Sequence, residues 1–156
     1  HLSPIAMRLS RYAGATPGDT RKPADLLSLH GGDIVDYIET EKACPIEKPG
    51  RIKVSSCMPV RSMDVYYSDI DINGHVNSIK YIEHVLDLFS KDWYAGHVIR
   101  RFEMAYVAES YSGDTLSFFR EENEDGTYDI EVRKNVGGDN PEGEVVCRSK
   151  LKFDNK

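Results

Sequence analysis

The sequence predicts an α+β fold, with one helix packed on a curved antiparallel sheet, and three observations carry that prediction. Residues 75–90 place Val76, Ile79, Ile82, Leu86 and Phe89 at helical spacing, with Tyr81, Val85 and Leu88 widening the apolar stripe. A run rich in β-formers, Val60 to Tyr67, precedes it, and several more follow it. A helix this apolar must be covered over much of its circumference, and the following strands are the elements available to cover it.

The elements read in order as follows. Residues 1–59 are irregular and form an N-terminal segment and linker, while residues 60–156 form the regular domain. Within the first part, Ile5, Met7 and Leu9 alternate as in a short strand, and Gly14 to Asp19 reads as a turn. Ala24 to Leu29 and Asp33 to Ile38 each suit a turn or two of helix, among Pro23, Pro45, Pro49 and Pro59. Leu26, Leu27, Leu29, Ile34, Val35 and Ile38 are too apolar for a free tether, so this linker is expected to pack on something. After the strand from Val60, Ser68 to Gly74 is a loop of Asp, Asn and Gly, and the helix of 75–90 follows. Four strands come next, near Val98–Glu109, Thr115–Glu122, Tyr128–Val136 and Glu144–Phe153. Asp125-Gly126 is a hairpin turn signal, and Asn135 to Gly143 is a longer turn.

Composition narrows the function classes. The chain has 156 residues, 40% hydrophobic and 29% charged, which is ordinary for one globular domain. Such a length buries about 70% of the unfolded surface and needs no disulfide or metal staple. With 20 Lys and Arg against 26 Asp and Glu, the formal charge is −6, which argues against nucleic acid as the main partner. No apolar run reaches the roughly 18 residues of a membrane span, and Arg8 and Arg11 interrupt any signal-peptide core. Cys44, Cys57 and Cys147 are odd in number and widely spaced, so they read as reduced thiols in a cytoplasmic setting. A first residue of His1 rather than Met suggests a processed chain or a piece of a longer one.

The densest polar cluster is Asp69-Ile70-Asp71-Ile72-Asn73-Gly74-His75-Val76-Asn77, at the junction of a strand and a helix start. Unpartnered N–H groups and the helix dipole make such a junction a place to stabilise a developing oxyanion. Asp69, Asp71, Asn73 and Gly74 also fit the first positions of a calcium loop, but the twelfth position is Lys80, and a cation there repels the metal. Asp71 and Asn73 suit a turn and a helix cap. His75, flanked by carboxylates, suits a general acid, base or hydrogen-bond donor. His84 lies about two and a half turns further along the helix and reads as structural. His30 and His97 read as surface or loop residues, and Trp93 and Tyr94 as core.

From Val65 through Leu88 the sequence resembles the hotdog thioesterases, and Asp69 through Glu83 resembles the signature of the acyl-ACP thioesterases in particular. Thr20-Arg21-Lys22-Pro23 and Pro45 to Lys53 also look like the linker of bacterial members. The resemblance covers about residues 20–153, and residues 1–19 fall outside it. It implies a hotdog fold, hydrolysis of fatty acyl-ACP to free fatty acid, and two hotdogs in tandem, of which this chain resembles the second. It implies catalytic positions at Asp71, Asn73 and His75, together with Glu109 on a following strand. It implies no cofactor and no metal. Its partners are an acyl carrier protein and a second hotdog domain, in the same chain or by homodimerisation. Plant relatives place a cysteine after the glutamate, whereas this sequence has Ser110, which argues against a thiol nucleophile.

A thioester needs little activation, so a positioned water can attack it. Glu109 or Asp71 would take the water's proton. Asn73 and N–H groups near Val76 would hold the oxyanion, and His75 would orient these groups or protonate the leaving thiolate. Arg61, Lys80, Arg100 and Arg101 read first as solvated surface charges and second as a patch for an acidic carrier. Two other functions fit the same residues: a single-hotdog acyl-CoA thioesterase acting as a dimer, and a non-catalytic half that only packs a partner.

Overall fold

The structure is a computed structural model that describes residues 49–156. Its regular elements are β1 (Arg61–Asp64), a 3-10 turn (Tyr67–Asp69), α1 (Ser78–Leu86), α2 (Lys91–Gly96), β2 (His97–Tyr106), β3 (Thr115–Glu122), β4 (Thr127–Lys134) and β5 (Glu144–Asn155). The strand near Ile5, the turn at Gly14, the helical turns before residue 40, His30 and Cys44 lie outside the described residues. Gly50–Lys156 form one unit.

The five strands make a single antiparallel sheet in the order β1-β3-β4-β5-β2. The chain leaves β1 at one edge, passes through α1 and α2, and returns as β2 at the opposite edge. The three central strands then fill the sheet between the two edges, which lays the helix across one face. Tyr81 and Val85 of α1, with Phe89 after it, pack against Leu116, Phe118, Tyr128, Ile130, Val132 and Leu151. This is the α+β arrangement that the sequence predicts, built from period-two alternation on the strands and an apolar stripe on the helix.

The helix is shorter than its apolar pattern. The pattern predicts 75–90, but His75 and Val76 are extended and pair with Tyr111 and Ile70. Asn77 is the true cap: its side-chain oxygen accepts the Ile79 N–H at 2.9 Å, so α1 starts at Ser78. At the other end the Ser90 hydroxyl accepts the Trp93 N–H at 3.1 Å and starts α2. Apolar spacing cannot distinguish these flanks from helix, because they bury the same side chains.

Burial on β3 and β4 runs through both faces. On the face away from the helix, buried Glu131 lies between the guanidinium groups of Arg133 and Arg148, each at 2.6 Å. Arg133 also stacks over Phe119 at 4.3 Å. Residues before β1 run along this side. The Lys53 N–H donates to Asp129, and the Ser55 N–H donates to Glu121. Val54 is buried.

Trp93 and Tyr94 pack at the core margin with Phe89, Tyr128 and Phe153. His97 is not a free surface residue: its ring stacks on Trp93 with centroids 3.7 Å apart, and its Nδ1 lies 2.8 Å from the Trp93 carbonyl. Among the described residues, no helix is long and apolar enough to cross a membrane.

Candidate active site

The loop between the 3-10 turn and α1 is held from beneath by Asp69. This buried carboxylate accepts the Tyr66 N–H at 2.9 Å and lies 3.1 Å from Nε2 of His84. The Asp69 carbonyl accepts the Asn77 N–H at 2.8 Å, which closes the loop at its far end. His84 is therefore structural in a specific way: it clamps the loop to α1.

Within the loop, Asp71 is the organiser. Its Oδ1 accepts the Asn73 N–H at 2.8 Å and the His75 N–H at 3.3 Å. Its carbonyl accepts the Gly74 N–H at 3.0 Å, and its own N–H donates to the His75 carbonyl at 2.8 Å. Gly74 takes φ +82°, a left-handed conformation that glycine adopts at little cost. The Asn73 N–H holds the Asp71 carboxyl below the usual carboxylate range. Desolvation opposes that shift, and the His75 N–H and the Asn73 amide add to it. The Asn73 amide nitrogen lies 3.5 Å from the other Asp71 oxygen.

His75 then reaches Glu109, with Nε2 to Oε2 at 3.6 Å. The four residues singled out in the sequence thus stand in one chain of contacts: Asp71 to Asn73 and His75, and His75 to Glu109. Two elements position this pair. The His75–Tyr111 bridge sets the loop beside the segment after β2, and the Val76 N–H donates to the Ser110 carbonyl at 2.8 Å. That bond corrects one expectation, because the Val76 N–H is occupied and cannot receive an oxyanion. At the helix start the Ile79 and Lys80 N–H groups are both bonded to Asn77.

Ser110 is fully buried, and burial pushes the Tyr81 phenol facing it up to about 12, with the Ser110 hydroxyl pulling the other way. Neither hydroxyl completes a hydrogen bond of full geometry. Cys147 is buried on β5, where burial pushes its thiol up to about 12 and keeps it protonated. Neither residue is placed to act as a nucleophile.

Two contributors went unread in the sequence. The Tyr111 hydroxyl donates to Glu109 Oε2 at 2.9 Å, and its ring meets His75 edge-on at 5.1 Å between centroids. Lys134 Nζ donates to the Glu109 carbonyl at 2.8 Å. The spacing of Glu109 and Tyr111, two apart in an extended stretch, was the available signal, since it places both on one face.

The basic residues do not form one patch. Arg61 lies on edge strand β1 and pairs with Asp87 at 3.6 Å, whereas Arg100 lies on the opposite edge and pairs with Asp154 at 3.9 Å. Lys80 pairs with Glu83 at 2.7 Å, and Arg101 pairs with Glu103. Among the described residues, no group of three or more His, Cys, Asp or Glu side chains is placed to hold a metal.

A single sheet wrapped on a helix, with this loop at the helix start, defines a hotdog-fold domain. The chain belongs to the acyl-ACP thioesterase family: residues 54–155 match the acyl-ACP thioesterase C-terminal domain. It is 60% identical to an acyl-ACP thioesterase from Bacteroides thetaiotaomicron, covering 87% of this chain and 51% of that one, with a TM-score of 0.73. It shares the fold of a 12:0-ACP thioesterase from Umbellularia californica at 20% identity and a TM-score of 0.58, covering 71% of this chain and 40% of that one. The chain therefore spans about half the length of the Bacteroides relative. No curated protein matches the sequence significantly.

Proposed function

We propose that the protein hydrolyses the thioester of a fatty acyl-ACP and releases the free fatty acid, with a second hotdog domain completing the acyl pocket. The observation that carries this reading is the approach of His75 Nε2 to Glu109 Oε2 at 3.6 Å, with the exposed Asn73 two residues before His75 in the same loop. Glu109 takes a proton from a water, and the water oxygen attacks the thioester carbonyl. The Asn73 side-chain amide donates to the developing oxyanion, a role that the occupied Val76, Ile79 and Lys80 N–H groups do not offer. The C–S bond then breaks, and the proton held by Glu109 passes by way of His75 to the departing thiolate.

Glu109 suits the base better than Asp71. The Asp71 carboxylate is committed to two loop N–H groups, which make it a weaker base and a better scaffold. The share of the Bacteroides relative that this chain spans supports a second domain. The free thiols Cys57 and Cys147 accord with a reducing, cytoplasmic setting.

The test is thiol release from matched acyl-ACP and acyl-CoA substrates by the purified protein. The reading expects faster release from acyl-ACP. Equal or faster release from acyl-CoA would remove the carrier-protein assignment, and release from neither when the second hotdog domain is present would remove the hydrolase assignment.

A further inference from the structure

Tyr111 donates through its hydroxyl to Glu109 Oε2 at 2.9 Å. Its backbone is locked by a turn, in which Asp114 accepts the Tyr111 N–H at 2.9 Å and donates its own N–H to the Tyr111 carbonyl at 3.1 Å. Asn135 braces that turn from the end of β4, donating to Asp114 at 2.8 Å. The ring is then held on two sides. The His75 ring meets it at an interplanar angle of 85°, and Lys134 Nζ lies 5.8 Å from its centroid. The ring is 43% exposed, and these two contacts orient it so that its hydroxyl meets Glu109 Oε2.

We propose that Tyr111 is a positioning residue for Glu109, its phenol holding the carboxylate against His75 in the orientation that serves catalysis. The proposal rests on the reading of Glu109 as the base. A phenol donating to a carboxylate favours the charged form. The charged and titratable groups around this pair include His75 from the loop, Asp114 from the turn and Lys134 from β4, with Asp71 behind His75 and Glu144 of β5 pairing with Lys134 at 3.2 Å. Tyr111→Phe leaves all of them in place and keeps the ring, removing only the donated proton.

With an acyl thioester as substrate, Tyr111→Phe moves the acid limb of the kcat/KM profile to higher pH by about one unit. On the plateau kcat falls about tenfold, through the loss of carboxylate orientation, while KM stays within about twofold. Combined with Glu109→Gln, the tyrosine change adds nothing further, because it acts through a carboxylate already removed. The carboxyl pKa of Glu109, followed by carbon NMR in the intact protein, rises in Tyr111→Phe and reads the same contact without turnover. An unmoved acid limb and an unmoved Glu109 titration overturn the proposal. Wild-type turnover in Glu109→Gln instead overturns the reading of Glu109 as base, and the NMR titration still decides whether Tyr111 holds it.

Discussion

Glu109 and Ser110 are neighbours with opposite surroundings: the Glu109 side chain is 46% exposed, and Ser110 is 0% exposed. An extended backbone sends successive side chains to opposite faces, so Glu109 and Tyr111 share the site while Ser110 faces the core. Ser110→Ala therefore leaves turnover within about twofold and stability within about 1 kcal/mol, since its hydroxyl has no full hydrogen bond to lose. Steady-state kinetics and urea unfolding check this, and a hundredfold loss of turnover would restore a nucleophile at that position. Asp71, Asn73, His75 and Glu109 were legible as types of residue in a telling pattern. Tyr111 was not, because its meaning depends on a bridge to His75 that forms only when the loop and the segment after β2 meet.

The hairpins show how the elements hold that meeting place. β3 and β4 turn through Asn123 to Thr127, where Gly126 sits at φ +73° with open space around its missing Cβ. β4 and β5 turn through a longer loop, where Gly143 sits at φ +68° and a Cβ would lie 2.5 Å from the Val136 side chain and 2.8 Å from the Lys134 carbonyl. Gly143→Ala consequently costs about 2–4 kcal/mol, from a left-handed backbone plus a clash with main chain. Gly126→Ala costs only about 1 kcal/mol, from the backbone alone. Urea midpoints at constant slope measure both, and equal losses would contradict the difference in packing. Lys134 and Asn135 brace the Glu109 turn from the end of β4, so the Gly143 change should also disturb the site. The Asp125-Gly126 turn was readable because hairpin chemistry is local. α1 starts three residues later than the apolar pattern suggests, because Val76 is buried as on a helix while its N–H goes to Ser110, and the His75 N–H and carbonyl are both bonded to Asp71.

At the scale of the molecule, the order β1-β3-β4-β5-β2 follows from a strand that crosses over a helix before a meander closes back beside it. The packing of a helix on an antiparallel sheet was legible from the sequence of elements, because an apolar helix among long strands has few ways to be covered, but the strand order was not, since a simple meander would set β2 beside β3. Nor was the dispersal of the basic residues, since sequence order does not reveal that β1 and β2 lie at opposite edges. The family assignment and the half-length match to the Bacteroides relative frame the central claim, that the His75 loop and Glu109 hydrolyse fatty acyl-ACP. The most direct test is fatty acid release from acyl-ACP by the intact protein and by its Glu109→Gln variant at the same pH. The account predicts steady release by the parent and a loss of about 10²–10⁴-fold in the variant, the range expected for removing a general base. Release by the variant at close to the parent rate would contradict it.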